Sequence, residues 1–143
     1  AKNHGIPSHV FSREAFYKGE TVDGALQAAG IGFVVLAGFM WLMPARLVRK
    51  YKMVNIHPAL LPKYGGKGMY GHHVHEAVVQ NGEAESGITI HWVNEAYDEG
   101  DIILQKKCPI NPSDSPEDVA DKVHALEYAH FPKTIEGVIL KDQ

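Results

Sequence analysis

Asn55 and His57 alternate with Val54 and Ile56 at the end of an apolar segment that stops at Pro58. In an extended strand residues i and i+2 share a face, so an amide and an imidazole would stand side by side. An amide N–H can hold a developing oxyanion and an imidazole can move a proton. That pairing suits acyl or formyl transfer better than hydride transfer. Asp98, within Tyr97-Asp98-Glu99-Gly100-Asp101, could orient His57, raise the pKa of its imidazolium and relay a proton through water. Spacing alone leaves a plainer reading open: Asn55 and His57 would cap a strand end, and Asp98 would close a turn on its own backbone.

Other polar clusters point less clearly to chemistry. The His72-His73-Val74-His75 run fits none of the common zinc spacings, and the lone Cys108 lies far from it in sequence. It reads as helix-initiating and surface histidines, so no metal is expected. The glycine-rich Lys63–Gly71 segment has neither a Walker nor a dinucleotide fingerprint and is either a surface loop or a lid. Met40-Trp41-Leu42-Met43 follows a strand end, where it would floor an apolar pocket or pack into the core. Thr89 and His91 share one face of their strand near this region, without a role of their own. No G-x-S-x-G or G-x-G-x-x-G sequence is present.

The elements that must position these residues follow from periodicity. Ile31–Ala37 is a continuous apolar run of the kind found in a strand covered on both faces, and Met53–His57 is a second. Ser86–Val93 and Asp101–Pro109 read as two further strands joined by the Asn94–Gly100 loop, and Ser8–Phe11 as a short one. Helices are expected over Thr21–Ala29, Pro44–Tyr51 and His73–Asn81. Another starts at Ser115 as N-cap with Pro116 at N1 and runs to His130, with Pro132 kinking it or starting another. Strands alternate with helices and then adjoin, which gives the α/β class with a mostly parallel central sheet and a mixed edge. One domain over residues 1–143 is expected. Ala1–Pro7 reads as the last turn of a helix with Gly5 just past its end, so a strand, loop and helix ahead of it are expected to be missing.

Composition narrows the class. The chain has 143 residues, 45% hydrophobic and 22% charged, with a net charge of −3, which fits a globular domain and supplies no basic face for nucleic acid. No apolar stretch approaches the ~18–20 residues of a membrane span. A single cysteine fits a reducing cytoplasm.

Four segments together resemble the folate-dependent glycinamide ribonucleotide formyltransferases: Val35–Met40, Asn55–Tyr64, Gly87–Val93 and Asp98–Gln105. They occur in the family's order and nearly span the chain. The resemblance implies a Rossmann-like formyltransferase fold with helices on both sheet faces. It also implies transfer of a formyl group from 10-formyltetrahydrofolate to the primary amine of glycinamide ribonucleotide, in purine biosynthesis. The family's catalytic trio falls on Asn55, His57 and Asp98: Asn55 and a protonated His57 would hold the oxyanion, and Asp98 would keep His57 charged. Folate would lie against Trp41, Leu42 and Met43 and along Val93, Asn94, Glu95, Ala96 and Tyr97. The ribonucleotide would approach Met40, Ile56, Pro58 and Glu127. No metal, nucleic acid or membrane is implied, and the protein would be a monomer or homodimer.

Two departures stand out. The family begins with a strand and a glycine/serine-rich loop that binds the substrate phosphate, and nothing here corresponds to it. The Lys50–Met53 connection is also shorter than usual. If the molecule lacks the phosphate loop, negligible transferase activity is expected, and normal turnover by a chain of only these residues would refute that. Formyltetrahydrofolate hydrolase usually carries His-His where this chain has His57-Pro58. Methionyl-tRNA formyltransferase prefers Arg-Gly where Lys63-Tyr64 stands, and needs a basic RNA-binding domain. A catalytically silent folate- or nucleotide-binding module is the alternative of a different class.

Overall fold

The computed structural model describes residues 1–141. It divides into two compact units, Ala1–Gly32 and Phe33–Gln143. In the first, a 3-10 turn over Lys2–His4 ends at Gly5, whose φ of 65° is the left-handed conformation expected just past a helical turn. Ser8–Phe11 does not form the expected strand. Four residues with a fully exposed Val10 bury little, and an extended segment needs a neighbouring strand to satisfy its backbone. Helix α1, Arg13–Lys18, starts where the Ser12 hydroxyl accepts the Ala15 N–H at 3.1 Å and buries Phe16 against the Phe11 ring. Gly19, at φ 95°, ends α1 and opens α2, Glu20–Ala28.

The second unit is a four-stranded sheet with helices. In chain order it contains β1 (Phe33–Ala37), α3 (Ala45–Lys50), β2 (Lys52–His57), α4 (His72–Gln80), β3 (Glu85–Trp92), β4 (Ile102–Pro109) and α5 (Pro116–Lys141). Spatial order follows sequence order. The α/β class holds, but the sheet is mixed rather than mostly parallel: β1 and β2 pair in parallel, whereas β2–β3 and β3–β4 are antiparallel. The β1–β2 crossover contains α3. The chain returns through α4 to run back along β2, and β3 and β4 then form a hairpin.

One sheet face supplies Val54, Ile56, Ile88, Ile90 and Cys108 to the core, against Val78 of α4 and Val119 and Val123 of α5. Each aliphatic side chain buried in this way contributes about 1.5–3 kcal/mol. Asn55, His57, Thr89 and His91 project from the opposite face, because strand residues alternate. The register sets Asn55 beside His91 and His57 beside Thr89. The segment after β2 is tied over this face, since the Thr89 hydroxyl donates to the Ala59 carbonyl and accepts the Leu61 N–H. Gln105 of β4 adds an amide N–H to the Leu61 carbonyl.

Helix α5 begins as expected. The Ser115 hydroxyl accepts the Asp118 N–H at 3.2 Å and the Asp118 carboxylate accepts the Ser115 N–H at 2.9 Å, a reciprocal cap. It neither ends at His130 nor restarts at Pro132, but continues through Pro132 to Lys141. An interior proline costs about 3 kcal/mol. Leu126 and Phe131 before it and Val138 after it all pack on the same core, which offsets that cost. No helix among the described residues is long and apolar enough to cross a membrane.

Candidate active site

At the carboxyl end of β2 a cavity of about 430 Å³ opens, lined by Asn55, His57 and Asp98 together. Asn55 and His57 reach it from one strand face. Asp98 arrives from the β3–β4 loop at a positive φ of 54°, a left-handed conformation that Asp tolerates better than bulkier residues. Two residues on, a Cβ at Gly100 would collide with the Trp92 carbonyl. Only glycine permits the close return that carries Asp98 over the strand ends.

The polar groups form one connected network. The Asp98 carboxylate lies between two imidazoles, 3.6 Å from His57 Nδ1 and 3.5 Å from His91 Nε2, and accepts the Gly66 N–H at 3.0 Å. His57 Nε2 donates to the Tyr64 carbonyl at 2.6 Å. His91 Nδ1 donates to the Trp92 carbonyl at 2.8 Å. His91 Nε2 lies 3.2 Å from the Asn55 amide and 3.5 Å from Asp98 Oδ1, so it accepts the amide N–H when bare and donates to the carboxylate when it carries hydrogen. The contact holds the Asn55 amide on the cavity face of the strand.

Burial decides the electrostatics. The Asp98 carboxylate and the Tyr64 carbonyl favour an imidazolium at His57, but burial outweighs them and His91 adds to it. The His57 pKa therefore lies below its ordinary value. This corrects the expectation of an imidazolium kept charged by Asp98: the ring is only 3% exposed, and desolvation disfavours its charged form. Burial pushes the Asp98 carboxyl the other way, upward, yet His91, His57 and the Gly66 N–H together hold it below the usual carboxylate range. At neutral pH the site rests with neutral His57 and ionised Asp98.

Around this centre the cavity wall contains Met40, Ile56, Pro58 and Glu127, all residues expected to meet the amine-bearing substrate. Trp41, Leu42, Met43, Val93, Asn94, Ala96 and Tyr97 also line it, and the Leu42 N–H donates to the Tyr97 hydroxyl at 3.0 Å. Glu95 does not line it. Its carboxylate turns outward onto the Arg49 guanidinium at 2.8 Å. The 94–97 segment curls on itself, with Asn94 Oδ1 accepting the Ala96 N–H at 2.9 Å, so alternate side chains diverge.

The residue pattern places His91 only near the site and gives His75, His124 and the Tyr64 carbonyl no role in it. For His91 the signal was the shared strand face with Thr89. For His124 it was the three-residue helical spacing to Glu127, whose carboxylate accepts the His124 Nδ1–H at 2.8 Å. His75 lines the cavity although it is almost wholly buried, while His72 and His73 are exposed and approach Glu76. Among the described residues no group of three or more His, Cys, Asp or Glu is arranged to hold a metal.

Comparison with known proteins bears on this arrangement. The formyl transferase family matches residues 1–135. A chloroplastic phosphoribosylglycinamide formyltransferase of Arabidopsis thaliana is 40% identical over 96% of this chain and 50% of its own length. The phosphoribosylglycinamide formyltransferase of Haemophilus influenzae is 38% identical over 95% of this chain and 65% of its own. A crystal structure of the Bacillus halodurans phosphoribosylglycinamide formyltransferase superposes with a TM-score of 0.86 at 33% identity, covering 99% of this chain and 74% of that one. The chain thus spans about half the length of the first curated relatives it matches. The family match extends over nearly every residue and the fold coincides, so the chain belongs to the formyl transferase family.

Proposed function

We propose that this site transfers a formyl group from 10-formyltetrahydrofolate to the primary amine of glycinamide ribonucleotide, the acceptor suggested by the names of the relatives. The observation that carries the reading is the convergence of the Asn55 amide, the His57 ring and the Asp98 carboxylate on one cavity. The amine attacks the formyl carbon, and the oxyanion that forms is held by the Asn55 N–H. The proton shed by the amine passes to the Asp98–His57 pair. On His57 Nδ1 it makes the ring cationic beside the oxyanion at the moment when charge is needed. Delivery of that proton to the departing folate nitrogen balances the transfer.

The neutral resting state of His57 suits this cycle, because a ring already charged could take up no proton. The mostly apolar wall made by Trp41, Leu42, Met43 and Val93, with Asn94, Ala96 and Tyr97 alongside, fits a flat heterocycle such as a folate. Few polar side chains reach that part of the wall, which is consistent with recognition through backbone groups. Met40, Ile56, Pro58 and Glu127 form the acceptor side, where Glu127 can accept hydrogen bonds from sugar hydroxyls. A reducing compartment such as the cytoplasm is the proposed setting, in keeping with a single cysteine in the whole chain.

An assay offering 10-formyltetrahydrofolate with glycinamide ribonucleotide, water alone or methionyl-tRNA separates this reading from the hydrolase and tRNA branches. Formyl transfer to glycinamide ribonucleotide, lost on His57→Ala, is the expected result. Formate release with no amine acceptor would move the assignment to hydrolysis.

A further inference from the structure

Tyr64 follows the catalytic strand by seven residues and presents two ends to two different environments. Its carbonyl meets His57 Nε2 at 2.6 Å. Its hydroxyl donates to Glu83 Oε1 at 2.9 Å and accepts the Asn81 amide at 3.0 Å, on the side of the loop away from the cavity. Lys63 in turn holds both oxygens of Glu83, at 2.9 and 3.1 Å. Asn81 and Glu83 flank Gly82 just beyond the C-terminus of α4, so the phenol is tied to the turn that ends this helix.

We propose that Tyr64 is a positioning residue for His57: its main-chain carbonyl, set in place by the phenol's bonds to Asn81 and Glu83, makes Nδ1 the ring nitrogen that gains and loses the proton. A carbonyl only accepts, so Nε2 keeps its hydrogen in both charge states. The neutral ring then presents a bare Nδ1 toward Asp98 Oδ2, 3.6 Å away. Each neutral tautomer leaves one ring nitrogen facing an acceptor, and distance decides between them: at 2.6 Å the carbonyl would lose a short hydrogen bond, whereas Asp98 Oδ2 at 3.6 Å lies beyond hydrogen-bonding distance.

The carbonyl needs outside support because Tyr64 sits at φ 57°, a conformation unfavourable for a non-glycine residue. The phenol supplies that support. Burial raises its pKa, with Glu83 adding to the effect and Asn81 opposing it, so it remains a donor. The same turn holds the partner of His57 as well, through the Gly66 N–H on Asp98. The titratable groups that face His57 are Asp98 from the β3–β4 loop, His91 from β3 and His75 from α4. Among these contacts, only the Tyr64 carbonyl meets Nε2 within hydrogen-bonding distance.

The catalytic consequence rests on the formyl-transfer reading, but the positioning itself is read without turnover. Long-range proton–nitrogen NMR of the ligand-free chain distinguishes the two ring nitrogens of His57 and follows them through a pH titration. In the unaltered chain Nε2 should carry hydrogen throughout, and only Nδ1 should titrate. Tyr64→Phe keeps the ring that packs on the core and removes the oxygen, and Glu83→Ala removes its acceptor. Both should mix the two tautomers and move the acid limb of the rate profile. They should also lower kcat about five-fold, the ratio that an ordinary net hydrogen bond supports, with KM for the folate little changed. Glu83→Gln retains an acceptor and should restore most of the unaltered pattern. Unchanged His57 nitrogen signals in Tyr64→Phe and Glu83→Ala, or a hydrogen on Nδ1 alone in the neutral unaltered chain, would overturn the proposal. If the unaltered chain transfers no formyl group, the functional reading fails, while the nitrogen signals still decide the positioning.

Discussion

At the residue scale the proposed chemistry depends on how His57 and Asp98 share one proton beside the Asn55 amide. Asn55 and His57 were legible because strand alternation puts them on one face, and Asp98 because the Asp98–Gln105 segment resembles that of the family, its turn holding two further acids, Glu99 and Asp101. The charge on His57 was not legible: it follows from burial, and burial comes from the segment folded over the strand, which no local pattern reveals. His91 escaped for a similar reason. Its role exists only through cross-strand register, in which it stands opposite Asn55. Asp98→Asn is expected to lower kcat by about 10²–10⁴, the range associated with a positioned acid–base group. The same change should move the His57 pKa further down, because the carboxylate opposing burial is gone. Rate measurement and an NMR titration of His57 check the two halves separately.

At the scale of elements the strands around the site were readable as runs of apolar residues, whereas their directions were not. Direction is set by what connects the strands: the return through α4 turns β3 against β2, and the hairpin turns β4 against β3. Pro132 shows the same limit from the other side. A local rule ends a helix at proline, and packing of Phe131 and Val138 on a shared core overrides it. The β3–β4 loop is where an element makes the site, because Gly100 lets it return against the Trp92 carbonyl. Gly100→Ala should cost about 1–3 kcal/mol, as overpacking usually does, and should displace Asp98. A lower melting temperature together with reduced transfer is the expected outcome. An unchanged melting temperature would show that the loop adapts without strain.

For the molecule as a whole, buried histidines tie stability to pH. Burial, with His124, His72 and His57 adding to it, lowers the His75 pKa from its ordinary value of 6.5 to about 4. Between those values the unfolded chain binds a proton that the folded chain refuses, so stability is present in full above about 6.5 and falls as the pH drops toward 4. His57 shifts in the same direction and adds to the slope. The loss attributable to His75 is on the order of 2–3 kcal/mol, and denaturant melts across that pH range would measure it. His75→Phe should flatten the slope. A slope that persists undiminished in that variant would place the titrating group elsewhere.

The central claim, that Asn55, His57 and Asp98 form a formyl-transfer centre, is tested most directly by single-turnover transfer from 10-formyltetrahydrofolate to saturating glycinamide ribonucleotide. The unaltered chain is run beside His57→Ala and Asp98→Asn, and the rate is read as the excess over the reaction without protein. The predicted result is an excess, small if the phosphate of the acceptor is loosely held, that both substitutions abolish. An excess that survives both substitutions, or none in the unaltered chain, would contradict the account.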